Sequence, residues 1–392
     1  MNVLHIILTV SKEYGGPVEG LTQSIKCRQK LGQYIEVVTL DDPNTDYIKD
    51  FPCVVNGVGP VNPKFGYQSK IKKWILENGH KFDVAVIHGL WNPTSLEGGQ
   101  GCKQIGLPYV VFTHGMLDPW FKKAYPLKHL VKQIYWFFQG RVLQNAYRVL
   151  FTSSEEERLA KGVFKGYTYK SQVVAYAAAD RLEHQEQAIT DFKKLVASTE
   201  NRPYLLYLSR IHEKKGCDLL LQAFAKADLR EELQLVMAGP CHSDYIDYLK
   251  KIAKDLDIAD RVHWPGMLKG NLKAAAFYGA EAFVLTSHQE NFGIAVAEAL
   301  AYAKPVLISD QINIWREIKQ GNAGFIARDT VEGAIEVLQS WEDLTMTEKE
   351  KMSQSARQVY ESNFTVAAAA NDLTDNLKMA ITTSIKKKGG EI

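Results

Sequence analysis

Short, unbroken apolar runs alternate with longer amphipathic stretches along most of this chain, and the alternation runs through twice. In the first half the runs fall at 3–10, 35–40, 84–88, 109–113 and 148–152, with helical patterns at 18–31, 67–77 and 127–142 between them. The second half restarts at 203–209 and continues at 233–239, 283–287, 305–309 and 323–327. Runs of Val, Ile and Leu without polar alternation belong to parallel strands covered on both faces. Strand–helix alternation of this kind predicts an α/β protein with doubly wound sheets. At 392 residues the chain is too long for one ordinary domain. A polar, helix-prone stretch separates the two series. The expected division is therefore a first Rossmann-like domain at 1–176, a linker and helix at 177–202, a second Rossmann-like domain at 203–365, and a helix at 366–392. That last helix is expected to pack back toward the first domain and to end in a solvated basic tail, Lys386–Lys388. Ligands in such sheets bind at the carboxyl ends of the strands, so the expected site is a cleft faced by both domains.

Composition removes several function classes. A formal net charge of +2 argues against a dedicated nucleic-acid binder. The five cysteines are scattered and form no C-x-x-C pair, which reads as reduced thiols with neither a zinc site nor a disulfide framework. The apolar N-terminus is short and is followed at once by Lys12 and Glu13, which suits a buried first strand better than a signal peptide. No apolar stretch is long enough to span a bilayer. The expected location is cytoplasmic.

The most informative segment is ENFGIAVAE, which Glu290 and Glu298 frame directly after the run FVLTS. Glu290 precedes a turn at Gly293 into a helix expected near 292–302. Glu298 lies inside that helix among Ile, Ala, Val and Leu. Ionised carboxylates accept pairs of hydrogen bonds from vicinal hydroxyls, and helix N-terminal amides bind anions and hydroxyls. An arbitrary E-x7-E is usually two solvated helix charges. Here Glu298 is an acid on a largely apolar element and needs a partner. Arg210 and Lys215 sit in LYLSRIHEKKG, again just after a strand, with Gly216 allowing a tight turn. Two such cations can clamp a diphosphate and neutralise the charge that grows on it as it leaves, whereas Glu213 and Lys214 read as plain surface charge.

The serine–arginine start, the lysine–glycine five residues on, and E-x-F-G-x4-E followed by Pro-Val resemble family 4 of the GT-B glycosyltransferases. The resemblance covers nearly the whole chain and is strongest over 204–305. It implies a GT-B fold and transfer of a sugar from a nucleotide diphosphate with retention of configuration. It further implies that Arg210 and Lys215 bind the diphosphate. Glu290 and the amides of Asn291, Phe292 and Gly293 would hold the transferred sugar, and Glu298 the ribose. MAGP (237–240) and HWPGML (263–268) resemble the segments flanking the nucleobase, which makes Met267 and Leu268 base contacts. Gly15 and Gly16 resemble the glycine loop beneath the diphosphate and acceptor. His114 in FTHGML resembles the histidine that meets the donor sugar, and His88 in IHGLWNP is similarly placed. In two places the chain departs from the pattern. AYAAAD (175–180) stands where a Pro-Asn-Gly turn is common, and Ala303 where a Gly usually precedes the Pro-Val.

No metal is expected, because Arg210 and Lys215 would take its electrostatic role. The one D-x-D, Asp255-Leu256-Asp257, falls in an amphipathic helical pattern and reads as a solvated face. Residues 119–141 mix lysines with Trp120, Phe121, Tyr135, Trp136, Phe137 and Phe138. That segment is either a core-packed helix with a charged outer face or an interfacial helix giving peripheral contact with the inner membrane. The expected partners are a UDP-sugar donor, with UDP-glucose first, and a glycan or lipid-linked acceptor in envelope or extracellular polysaccharide synthesis. A GT-B sugar-nucleotide epimerase and a non-catalytic nucleotide-sugar binder are the rival readings.

Overall fold

A computed structural model describes residues 1–60, 69–196 and 202–389. The chain forms two units, Met1–Tyr176 with Val366–Ile392, and Ala177–Thr365. The first is built on seven parallel strands, β1 (Asn2–Ile6), β2 (Tyr34–Thr39), β3 (Val54–Gly57), β4 (Val84–His88), β5 (Tyr109–Phe112), β6 (Arg148–Phe151) and β7 (Ser171–Val173), in the order β3-β2-β1-β4-β5-β6-β7. The second has six parallel strands, β8 (Tyr204–Leu208), β9 (Gln234–Ala238), β10 (Val262–Gly266), β11 (Ala282–Leu285), β12 (Val306–Ser309) and β13 (Gly324–Ala327), in the order β10-β9-β8-β11-β12-β13. Each order reverses beside the unit's first strand, and the crevice at such a reversal is where doubly wound sheets bind ligands.

Successive residues of each strand point to opposite faces, and both faces are covered. In β4, Ala85 and Ile87 join one core cluster of the first unit, while Val84 and Val86 join the other. The second cluster also takes Val18, Leu21 and Ile25 of the helix Gly16–Lys30, together with Leu373, Leu377 and Ala380 of the helix Val366–Gly389. The C-terminal helix is therefore part of the first unit's core. It runs on through the lysines read as a tail, and 390–392 lie outside the described residues. Of the expected linker, Glu186–Leu195 is helical and belongs to the second unit, and 197–201 lie outside the described residues. The first two residues of the helical pattern at 67–77 also lie outside them, and the helix there is Lys70–Asn78.

Three strands have no counterpart among the apolar runs. β3, β7 and β10 each end a sheet, where burial on both faces is not required. β3 and β7 are short and only partly buried, and β10 contains Pro265, which only an edge position or a bulge tolerates.

Candidate active site

In the second unit, the chain leaves β8 at Ser209 and Arg210. The hydroxyl of Tyr207 donates to the Arg210 carbonyl (3.0 Å) and fixes this exit, leaving the Arg210 side chain exposed. A tight turn at Glu213–Lys215 follows, in which the His212 ring accepts from the Lys214 amide (3.1 Å). Gly216 ends it with φ +62°, and a β-carbon there would lie 2.2 Å from the Thr286 carbonyl oxygen. The Thr286 hydroxyl in turn donates to the Gly216 carbonyl (2.7 Å), pinning the turn to the end of β11. This is the physical content of the lysine–glycine pair: glycine permits both the left-handed backbone and the close approach.

Pinned in this way, Lys215 is only 6% exposed, and its ammonium contacts the carboxylate of Glu290. Burial, with Lys214 and Arg210 nearby, pushes the Lys215 pKa down to about 7, while contact with a carboxylate pulls the other way. Glu290 is held in extended backbone. Its amide donates to the Gln311 carbonyl (3.0 Å), and its carbonyl accepts from the Asn313 amide (3.1 Å). Arg210, Lys215 and Glu290 are thus brought together.

The helix after Glu290 spans Ile294–Ala301, shorter than the sequence pattern suggests, because Gly293 at φ +74° forms its N-cap. Phe292 is buried edge-on against Phe364, so that side chain serves the core. Glu298, 8% exposed, accepts from Lys273 Nζ (2.5 Å). Lys273 was not picked out from the sequence. The signal was a lone cation on the apolar helix Gly270–Gly279, matching the lone acid on its neighbour. Just before that helix, Met267 is 58% exposed while Leu268 is buried. Ala303 adopts φ +56° immediately after the helix, which explains why glycine is the usual residue there.

In the first unit, Gly15 (φ +82°) is the N-cap of the helix Gly16–Lys30. The Tyr176 hydroxyl donates to the Gly16 carbonyl (3.4 Å), and the Tyr176 ring meets His114 edge-on at 6.1 Å. The glycine loop and His114 therefore share one neighbour. His114 follows β5 in a left-handed conformation, φ +48°, uncommon for a residue with a β-carbon. Glu156 stabilises this loop and was also missed from the sequence. The Thr113 hydroxyl and Gly115 amide donate to one of its oxygens (both 2.6 Å), and the Thr152 amide and hydroxyl to the other (2.7 and 2.8 Å). His88 Nδ1 lies 3.0 Å from His114 Nε2, so the two histidines singled out are joined. Burial lowers the His114 pKa to about 4.

Asp255 is the last residue of the helix Ser243–Asp255, and Asp257 lies beyond it at φ +56°; both are exposed. Among the described residues no three His, Cys, Asp or Glu side chains converge to hold a metal ion. No described helix is long and apolar enough to cross a membrane. The outer face of the helix Pro126–Asn145 differs from one of the two expectations. It is dominated by exposed Leu127, Leu130, Val131, Ile134, Phe137 and Phe138, with exposed Lys128 and Arg141 among them.

Comparison with known proteins agrees with the fold and the motifs. The profile of the "Glycosyl transferases group 1" family matches residues 188–359, and that of the "Glycosyl transferase 4-like domain" matches residues 15–175. The chain is 26% identical over 356 residues to a GDP-mannose:cellobiosyl-diphosphopolyprenol alpha-mannosyltransferase of Xanthomonas oryzae pv. oryzae, covering 87% of each. It is 31% identical over 136 residues to the alpha-monoglucosyldiacylglycerol synthase of Streptococcus pneumoniae, a match spanning 34% of this chain and 30% of that protein. Among solved structures, the Anabaena protein HepE in complex with UDP and glucose superposes with a TM-score of 0.77 at 16% identity, covering 97% of this chain and 100% of that one. With two parallel Rossmann-like sheets and both family profiles matched in order, the chain belongs to the group 1, family-4-like glycosyltransferases of the GT-B fold.

Proposed function

We propose that this chain moves a hexosyl group from a nucleotide diphosphate, with UDP-glucose as our first choice, to a glycan or lipid-linked acceptor with retention of anomeric configuration. The setting we propose is envelope or extracellular polysaccharide synthesis. One observation carries the reading: a buried lysine and a carboxylate are in contact beside an exposed arginine at the end of β8. In a nucleotide sugar the diphosphate and the hexose meet at a single C–O–P linkage. A cation for one side and an acid for the other must therefore lie next to each other. Arg210 and Lys215 would bind the diphosphate and stabilise it as it departs. Glu290 would accept from hexose hydroxyls, Glu298 from the ribose, and His114 would meet the hexose from the first unit. The two cations supply the charge that a divalent metal provides in other transferases, so we propose a metal-independent reaction.

Two observations support a lipid-linked acceptor. The Xanthomonas oryzae relative, matched over 87% of each chain, is named for a diphosphopolyprenol acceptor. The exposed apolar stripe on the helix Pro126–Asn145 is flanked by Lys122, Lys128 and Arg141, the composition of a helix lying on an anionic membrane. The same relative is named for GDP-mannose, which makes that donor the rival to UDP-glucose.

The test is a panel of UDP-, GDP- and ADP-hexoses offered with diphosphate-lipid and oligosaccharide acceptors, with and without EDTA. The product's anomeric configuration is read by NMR. The reading expects transfer from UDP-glucose, unaffected by EDTA, with the α-anomer retained. Preferred turnover of GDP-mannose overturns the donor, an inverted product overturns retention, and loss of activity on chelation overturns metal independence. Epimerisation of the donor with no acceptor present would overturn the transferase reading for this substrate.

A further inference from the structure

The roles above use His114 but leave unexplained a fully buried guanidinium in the same unit. Arg28, on the helix Gly16–Lys30, is 0% exposed and meets no carboxylate among the described residues. Its Nε donates to Gln33 Oε1 (2.9 Å), its Nη1 lies 3.0 Å from His5 Nε2, and its Nη2 has no hydrogen-bond partner among the described residues. A buried cation without a counter-charge is costly and calls for a reason. The contacts continue beyond it. His5 Nδ1 lies 2.8 Å from His88 Nε2, and His88 Nδ1 lies 3.0 Å from His114 Nε2. The rings stack, with centroids 5.1 and 5.3 Å apart. The result is an unbroken line from the interior of the first unit to the loop after β5.

The direction of that line follows from donor and acceptor chemistry. A guanidinium can only donate, so His5 Nε2 must accept. Burial and neighbouring positive charge hold His5 and His88 well below the ordinary histidine range, and burial holds His114 low, so all three rings are neutral with one proton each. The proton of His5 is then on Nδ1, donated to His88. The proton of His88 is on Nδ1, donated to His114. The proton of His114 is left on Nδ1, an atom to which no described side chain or backbone group bonds. Each bond polarises the next in the same sense.

We propose that Arg28, His5 and His88 are positioning residues that fix the tautomer of His114, presenting its Nδ1–H as an obligate hydrogen-bond donor to an oxygen of the transferred sugar. The assignment of the sugar rests on the function proposed above, whereas the fixed tautomer does not. It follows that His114 recognises a lone pair and does not serve as a base through Nδ1. The left-handed backbone at His114, held by Glu156, fixes the direction of that donor.

The experiment is long-range ¹H–¹⁵N NMR on the full chain labelled at histidine, at pH 7 and without ligand. The expected spectrum has His5, His88 and His114 all protonated at Nδ1, the less common form of a free imidazole. In Arg28→Met, His114 should become a mixture of tautomers. With a working donor kcat should fall about fivefold, the worth of one neutral hydrogen bond, while the Kd for UDP stays within about twofold of wild type. Arg28→Lys should restore the single tautomer. If Arg28→Met does not fold, His88→Phe keeps a stacked ring but breaks the line one link before His114, with the same expectation for that ring. A wild-type His114 protonated at Nε2, or an unchanged Nδ1–H in either folded variant, overturns the proposal. If the tautomers behave as expected but His114→Phe costs the same with every deoxy-hexose donor, the line stands and the sugar contact falls.

Discussion

Binding of the donor's diphosphate should take up a proton, and the size of that uptake can be worked from Lys215. With burial and the neighbouring cations pushing its pKa down to about 7, its ammonium is at least about half populated at pH 7 and at least about a tenth populated at pH 8. A diphosphate beside it favours the charged form and raises the pKa in the complex. The sign follows directly: a group protonated more fully in the complex than in the free protein weakens binding as pH rises through its lower pKa. Because the Glu290 contact raises that pKa in turn, affinity for UDP should fall by at most about fivefold between pH 7 and pH 8, with an uptake of at most about 0.9 proton at pH 8. The terminal phosphate of UDP, with a pKa of about 6, is already ionised there and contributes little. Calorimetry at pH 8 in two buffers of different ionisation enthalpy measures the uptake. Lys215→Met should abolish it and should flatten the pH dependence of Kd. Binding without proton uptake at pH 8, or the same uptake in Lys215→Met, would refute the role given to this lysine.

Three further outcomes are expected. Arg210→Ala, which removes an exposed cation from the leaving group, should lower turnover by roughly 10²-fold while leaving the melting temperature unchanged; near wild-type turnover with a working acceptor removes Arg210 from the site. Ala303→Gly should relieve about 1–2 kcal/mol of left-handed backbone strain and lose about half of that to unfolded-chain entropy. The net gain of about 0.5–1 kcal/mol should raise the melting temperature of the second unit by about 1–3 °C in a thermal scan, and a lower melting temperature would contradict the strain. Paired Leu130→Ser and Ile134→Ser changes should abolish flotation with vesicles containing anionic lipid and leave UDP binding intact; equal flotation of variant and wild type would show that the stripe does not meet the bilayer.

How much of this was legible in the sequence depends on which interactions are local. Central parallel strands are buried on both faces, so β1, β4, β8 and β11 announce themselves as unbroken apolar runs. The edge strands β3, β7 and β10 carry no such signature and were missed. The acids and cations that precede or follow a strand end could be located because a strand end is itself a local feature. Their partners could not. Lys215 and Glu290 are 75 residues apart, and Glu156 reaches back 43 residues to Thr113. Arg28 meets His5 across 23 residues. No spacing rule encodes such pairings; they are set by the order in which strands assemble into a sheet. Ala303 could be flagged as unusual, but its strain became visible only with the backbone angle. The period of the helix Pro126–Asn145 marks it as amphipathic but does not decide which of its faces meets solvent.

The central claim is that the second unit divides a nucleotide sugar between two glutamates, Glu290 on the hexose and Glu298 on the ribose. The direct measurement is calorimetric titration of UDP and of UDP-glucose into wild type, Glu290→Gln and Glu298→Gln, after thermal scans confirm that each is folded. That check matters for both, since Glu298→Gln leaves Lys273, and Glu290→Gln leaves the buried Lys215, without its carboxylate. Glu298→Gln should weaken both ligands alike, by roughly 1–3 kcal/mol, because both carry the ribose. Read at pH 6, where Lys215 stays largely charged even without its carboxylate partner, Glu290→Gln should leave UDP binding nearly unchanged and remove the extra affinity that the intact donor gains from its hexose. If Glu290→Gln weakens free UDP as much as Glu298→Gln does, the division is wrong.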